Sequence, residues 1–405
     1  MYVFWKSTAA NPAVSWHPDA GACLSMTRSR ISLLVPDMPL AEELLPWLKR
    51  IDATRWYSNF GPLVRELEGA LIGMFALRSE RALHLTTVSN CTVGLELALI
   101  ALDLKPGSKV LVPALTFVAT ATAVIRAGHV PVIADVDAHS WLLTPDIARA
   151  ALKNTDLGAI LPVATFGCPH DMQAWDSFSA ETGLPVIIDV AGAFGNQWEC
   201  GSATLVFSLH ATKSLASGEG GLVISRDFEL IARIRRLSNF GINLDPHEVT
   251  PVGQVEVPGV NAKMSEYHAA IGLANLARWP ALSATRIELF ERYATRLTAL
   301  PGLAPTWQQV PAGIVRTLLC FRVRRGGLRE AIEVACAAAG IETRRWYLPT
   351  LNRHYAFTEL PRAGPLHESE RLSEELIGLP FHAQLTGTNI DAIVEAVCRA
   401  VGPAA

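Results

Sequence analysis

The sequence predicts an α/β protein in two parts: a large domain on a mostly parallel central sheet, and a smaller C-terminal α+β domain. Three observations predict it. The chain has 405 residues, half of them hydrophobic, which is too much for one ordinary core. From about residue 60, helical patterns alternate with short apolar runs. Those runs are β-branched, almost unbroken in apolarity, and bounded by Gly, Pro or Asp, which suits parallel strands covered on both faces.

The expected strands include 109–112, 130–134, 159–163, 185–188 and 204–208. Ser265 is placed to cap a long helix through Glu266, Ala269, Ala270, Leu273 and Leu276. After about residue 285 a further strand is expected at 317–323, followed by an alanine-rich helix over 328–339. The large domain is therefore expected over 26–285, with an N-terminal arm, and the small domain over 286–405. Residues 1–25 mix Trp5, Trp16, Pro12, Pro18 and Gly21 without periodicity and lack the apolar core of a signal peptide. They are expected to form a disordered tail, and Met26 opens a stretch that looks like an ordinary protein start.

Composition excludes several function classes. Charged residues make up 18%, below the usual fraction of about a quarter, which favours a well-buried globular chain. A net charge of -3 gives no argument for nucleic acid or an anionic membrane as a partner. No apolar stretch reaches the length of about 18 residues that a membrane span needs. Seven cysteines are scattered, without a CxxC pair or a Cys/His cluster. They read as reduced thiols in a cytoplasmic protein, with no disulfide framework and no metal site.

Four segments could carry chemistry. At 204–213 a buried strand runs into Ser208, His210, Thr212 and Lys213, and the turn Ser217-Gly218-Glu219-Gly220-Gly221 follows. A lysine leaving an apolar strand is a candidate Schiff-base nucleophile, because desolvation favours its neutral form. A surface lysine in a loop would look the same locally. The run Pro185-Val186-Ile187-Ile188 ends in Asp189, and ligands of open α/β sheets bind beyond the carboxyl ends of strands. A carboxylate there either holds a protonated ring nitrogen or caps a turn. Asn90, with Cys91 and Thr92, can start a helix whose free amides make a phosphate site, or simply cap that helix. Phe117 ends another strand; it can stack on a flat ring or belong to the core. Together, a phosphate cradle, an aromatic, a strand-end Asp and a lysine suit one cofactor, a phosphorylated and protonated aromatic aldehyde.

From about Ile31 to the C-terminus the chain resembles the DegT/DnrJ/EryC1/StrS family of fold-type-I aminotransferases. The resemblance is carried by Trp56-Tyr57-Ser58-Asn59-Phe60-Gly61-Pro62 with Glu66 and Glu68, by 112–120, and by 131–137. Its most specific block is Ser208-Leu209-His210-Ala211-Thr212-Lys213 with Gly218-Glu219-Gly220-Gly221. Asn261-Ala262-Lys263-Met264-Ser265-Glu266 is similar to a motif that reaches a neighbouring subunit's site in relatives. The resemblance implies pyridoxal 5'-phosphate as cofactor. It implies that Lys213 holds it as a Schiff base, that Asp189 pairs with the ring nitrogen, and that Phe117 stacks on the ring. It implies further that Asn90, Cys91, Thr92 and Ser208 hold the phosphate, and that Asn261 reaches the same phosphate from the partner of a homodimer. One departure stands out. Relatives usually carry His or Gln three residues after the Asp, and here Gly192 occupies that place; some relatives carry Gly or Ala there. Asn196 and Gln197 lie nearby in sequence.

The activity this implies is transfer of an amino group from glutamate or glutamine to a keto sugar on a nucleotide diphosphate. The expected position is C4, or else C3, of a keto-6-deoxyhexose. Two alternatives stand beside it. One is a dehydrating or aromatising relative that uses the same lysine; sugar dehydratases carrying His in that place are disfavoured by Lys213. The other is a catalytically inactive regulator, which the joint presence of Lys213, Asp189 and Ser208 disfavours.

Overall fold

This computed structural model describes residues 30–402, apart from Glu80 and Glu248. The tail expected over 1–25 lies outside the described residues. The arm joins the C-terminal part of the chain at once: Ile31 bridges Ile341, and the Phe381 amide donates to the Leu33 carbonyl. Two helices follow, α1 (Ala41–Thr54) and α2 (Pro62–Ala76). Pro62 suits the first turn of α2, where its missing N–H costs nothing. The free amides of Leu63 and Val64 are met from far away, by the carboxylate of Glu266 at 2.8 and 2.9 Å. Gly61 is required for that approach, since a Cβ there would sit 2.6 Å from the Glu266 carboxyl carbon.

The large part then alternates β1 (His84–Val88), α3 (Cys91–Ala101), β2 (Lys109–Pro113), α4 (Ala119–Arg126), β3 (Val130–Ala134), α5 (Pro145–Leu152), β4 (Ala159–Ile160), α6 (Met172–Thr182), β5 (Ile187–Asp189), β6 (Thr204–Ser208), β7 (Gly221–Ser225) and α7 (Phe228–Leu237). The strands form the orders β1-β7-β6-β5 and β3-β2-β4, and bridges from Ile160 to Val186 and from Val163 to Asp189 join them edge to edge. Only β7 runs against its neighbours; the remaining pairings are parallel.

Strand alternation explains the unbroken apolar runs. On β6, Leu205 and Phe207 point into the core shared with α2, α6 and the following helix α8 (Glu266–Thr298), while Val206 points into the core shared with α3, α4 and α7. Leu222 and Ile224 against Val223 repeat the pattern on β7. The strand expected at 159–163 is shorter than its apolar run, because Pro162 has no amide to donate and regular pairing stops at Ile160. The chain returns to the ladder at Val163.

The helix capped by Ser265 forms as expected, the Ser265 hydroxyl accepting from the His268 amide. It continues unbroken through Pro280 to Thr298, so the boundary expected at 285/286 falls inside it. Its first half packs Ala269, Leu273 and Trp279 into the large core. Its second half packs Leu289, Tyr293 and Leu297 into a separate core with β8 (Leu319–Arg322), α9 (Leu328–Ala338) and, after α10 (His367–Glu375), β9 (Leu376–Leu379) and α11 (Gly387–Val401). β8 and β9 pair antiparallel. Among the described residues, no helix is long and apolar enough to cross a membrane, and no group of His, Cys, Asp or Glu is arranged to hold a metal ion.

Candidate active site

The carboxyl ends of β5 and β6, the start of α3, and the turn after β2 surround a cavity of about 690 Å³. It is closed from the other side by Thr317, Leu318, Arg344, Trp346 and Tyr347 of the C-terminal part. Asn90, Cys91, Thr92, Phe117, Asp189, Ser208 and Lys213 all line it, so residues spread over more than a hundred positions converge on one cavity.

Asp189 ends β5, held between β6 and the Val163 bridge, and is 6% exposed. One carboxylate oxygen accepts from the Thr120 hydroxyl at 2.9 Å, and the other accepts from the Ala191 amide at 3.1 Å. The Thr120 hydroxyl lies 2.9 Å from that of Thr116, one helical turn back. Burial pushes the Asp189 carboxyl above its ordinary range, and the Ala191 amide, the Thr120 hydroxyl and the charge of Lys213 offset this only partly. A cation at the mouth of the carboxylate would supply the compensation that burial withholds. A protonated ring nitrogen is such a cation, so the donor set fits pyridoxal phosphate.

At the far side of β5 lies an anion cradle. Asn90 caps α3, its side-chain oxygen accepting from the Val93 amide at 2.9 Å. The amides of Cys91 and Thr92 make no hydrogen bond among the described residues and sit at the positive end of the helix. Ser208, at the end of β6, is 7% exposed and keeps its hydroxyl on the same cavity. Gly221 lets β7 lie against this loop, because a Cβ there would meet the Asn90 carbonyl carbon at 2.7 Å. The Cys91 thiol is pushed well up by burial and by Asp189, with Lys213 pulling it partly back, so it stays a neutral thiol.

Lys213 follows β6 in a turn fixed by its own amide on the His210 carbonyl and by Ala211 donating to Gly218 at 2.8 Å. Gly218 has a φ of +84°, which the turn needs and a side chain resists. The Lys213 ammonium forms no hydrogen bond or ion pair among the described residues. Phe117 is 57% exposed at the rim, where an unpacked ring face is free to stack.

Asn261 is not in this cavity. It is exposed, bridges Asn239, and accepts from the Lys263 ammonium at 2.7 Å. Neither Asn196 nor Gln197 stands in for the side chain missing at Gly192. Asn196 is spent on Gly167 and Val315, and Gln197 on His170 and Glu199.

Several site residues have no counterpart among the sequence candidates, among them Thr120, Phe166, Thr317 and Tyr347. Thr120 had a local signal, four residues after Thr116 at the start of a helix. The others are brought in by the tertiary fold. Phe166 stacks on Tyr347 with centroids 5.7 Å apart, and burial together with Asp189 pushes the Tyr347 phenol up, keeping it neutral.

The fold and this pocket define a fold-type-I, pyridoxal-phosphate-dependent aminotransferase. The chain belongs to the DegT/DnrJ/EryC1/StrS aminotransferase family, whose model matches residues 39–398. Among solved structures it is similar to DesI, determined in the presence of its TDP-sugar product: 28% identity, TM-score 0.81, covering 92% of this chain and 93% of that one. It is similar to DesV of S. venezuelae, in complex with a ketimine intermediate: 27% identity, TM-score 0.77, covering 91% and 99%. It is also similar to 3-amino-5-hydroxybenzoic acid synthase: 25% identity, TM-score 0.77, covering 92% and 99%.

Proposed function

We propose that this aminotransferase moves an amino group from glutamate or glutamine to a keto sugar carried on a nucleotide diphosphate, at C4 of a 4-keto-6-deoxyhexose, with C3 as the other position. The likeness to DesI and DesV supports the sugar class. The observation that carries the chemistry is the pairing of an unbonded lysine, Lys213, with a buried carboxylate, Asp189, on one cavity.

When bound, pyridoxal phosphate supplies an aldehyde carbon and a ring able to accept the electron pair left at the donor's α carbon. Lys213 Nζ would hold the cofactor at that aldehyde. With its amine free, Lys213 Nζ would be the base that takes a proton from the donor's α carbon and the acid that returns one at the keto carbon of the sugar. Asp189 would keep the ring nitrogen protonated, and Thr120 holds Asp189 in place. Asn90, Cys91, Thr92 and Ser208 would hold the phosphate, and Phe117 would lie against the ring. We assign Asn261 to the site of a partner subunit in a homodimer. Exposed Phe240, Leu244, Val252 and Val255, on the segment leading to it, support an interface there. Six free cysteines among the described residues support a reducing, cytoplasmic setting.

The likeness to 3-amino-5-hydroxybenzoic acid synthase favours a second reading, an aromatising reaction on the same lysine. A panel of nucleotide-linked keto sugars with glutamate, run beside carbocyclic keto acids that can lose water to an aromatic ring, decides between them. The first reading expects an amino sugar and 2-oxoglutarate in equal amounts, and Lys213→Ala expects neither. An aromatic product without 2-oxoglutarate would establish the second.

A further inference from the structure

Along the strand ends the site has a fixed order. The anion cradle of Asn90 and Ser208 lies on the β7–β6 side, Asp189 lies at β5, and Phe166 and Gly167 follow β4 beyond it. Gly192 sits on this last side. A Cβ added to it would meet the Thr317 hydroxyl at 3.4 Å and the Gly167 amide nitrogen at 3.6 Å. Thr317 is 7% exposed and comes from the segment leading into β8, in the other half of the molecule. Its hydroxyl has no hydrogen-bond partner among the described residues and lines the cavity. A hydroxyl on a cavity wall with no protein partner is available to donate to a group that binds there.

The covalent structure of the cofactor says which group that is. Its aldehyde carbon lies between the phosphate arm on one side and a ring oxygen on the other. With the phosphate at Asn90 and Ser208 and the ring nitrogen at Asp189, the ring oxygen faces the side away from the cradle. The geometry points to Thr317 as the residue that hydrogen-bonds this oxygen, filling from the C-terminal part the place that Gly192 leaves bare. The inference rests on the roles proposed above for Asp189 and the cradle.

A hydrogen bond to the ring oxygen stabilises its negative charge. It thereby weakens the hold of that oxygen on the proton it shares with Lys213 Nζ, and lowers the pH midpoint of the bound cofactor's visible band. The test titrates that band in the absence of substrates and measures cofactor dissociation by equilibrium dialysis, for wild type, Thr317→Val and Thr317→Ser. Val keeps the shape and loses the hydroxyl. It is expected to raise the midpoint by about one unit and the dissociation constant about tenfold, as for one hydrogen bond to a charged oxygen. Ser is expected to stay close to wild type. Equal behaviour of Val and Ser, or no change in Val, overturns the inference. So does a shift confined to Tyr347→Phe, which would pass the bond to the neighbouring phenol. If wild type binds no cofactor with a visible band, the parent reading of Lys213 has failed instead, and the two failures are told apart.

Discussion

Thr120 donates its hydroxyl to Asp189 across 2.9 Å, from the first turn of α4 to the end of β5, and both residues are buried. The contact offsets part of the upward push that burial gives this carboxyl. Its partners are a neutral hydroxyl, a backbone amide and, at 4.0 Å, the Cys91 thiol, which orient the group without cancelling its charge.

This ranks two substitutions. Asp189→Asn should lower kcat by orders of magnitude and leave KM for both substrates nearly unchanged, because the lost charge acts on the reacting ring. Thr120→Val should lower kcat about tenfold, the size of one hydrogen bond to a carboxylate. Steady-state kinetics checks both. A change confined to KM in Asp189→Asn would show that this carboxylate is not the partner of the ring nitrogen.

Glu266 predicts a stability effect away from the chemistry. It is fully buried and satisfies two amides that open α2, some two hundred residues earlier in the chain. Glu266→Ala leaves both amides orphaned at the positive end of a helix and should cost about 3 kcal/mol. Glu266→Gln keeps one acceptor and should cost about half as much. Urea unfolding at fixed protein concentration should show the midpoint falling with an unchanged slope. An unaltered midpoint in the Ala variant would mean that water replaces the carboxylate.

The sheet and the lysine turn are legible in the sequence because they are local. The run 204–208 has one unbroken apolar stretch and an abrupt end, and it forms β6 over those residues. Asn90 and Ser265 announce their helices through short-range caps. Expectation and structure part where a residue's role depends on distant chain. Asn196 is near Gly192 in sequence, yet its side chain ties Gly167 to Val315. Thr317 carries no local mark at all; only the packing of the C-terminal part against β4 and β5 brings it to Gly192. β1 has a mixed burial pattern and β7 follows a glycine turn, so neither stands out as an apolar run.

His170 makes the fold sensitive to acid. It is buried, its Nδ1 lies 3.2 Å from the Trp175 indole N–H that donates to it, and burial pushes its pKa down to about 4. The unfolded chain, with an ordinary histidine near 6.5, binds the extra proton first as pH falls. The stability from the neutral imidazole is therefore complete above about pH 6.5 and is lost as pH falls through the folded value, by about 3 kcal/mol in all. His170→Gln keeps an acceptor for Trp175 and gains no proton. Urea unfolding between pH 7 and 4.5 should show a shallower loss in the variant than in wild type. Burial lowers His129 and His382 in the same sense, so it is the difference between the two proteins that reads His170. Parallel curves would place the acid sensitivity elsewhere.

The last prediction concerns the partner subunit. Asn261 is exposed and absent from the cavity of its own chain, although Ser89, next to the phosphate cradle, donates its amide to the neighbouring Ala262 carbonyl at 2.6 Å. If a second copy brings its Asn261 to the phosphate, each site needs Lys213 from one chain and Asn261 from the other. Lys213→Ala and Asn261→Trp should then each be inactive alone. Unfolded and refolded together, they should recover activity, because a mixed dimer has one intact site and one doubly damaged site. Random pairing puts half the dimers in the mixed class with one good site each, so recovery should approach about a quarter of wild type. Differently tagged chains show whether mixed dimers form. A mixture that forms them and stays inactive would confine Asn261 to its own chain, where it bridges Asn239 and accepts from Lys263.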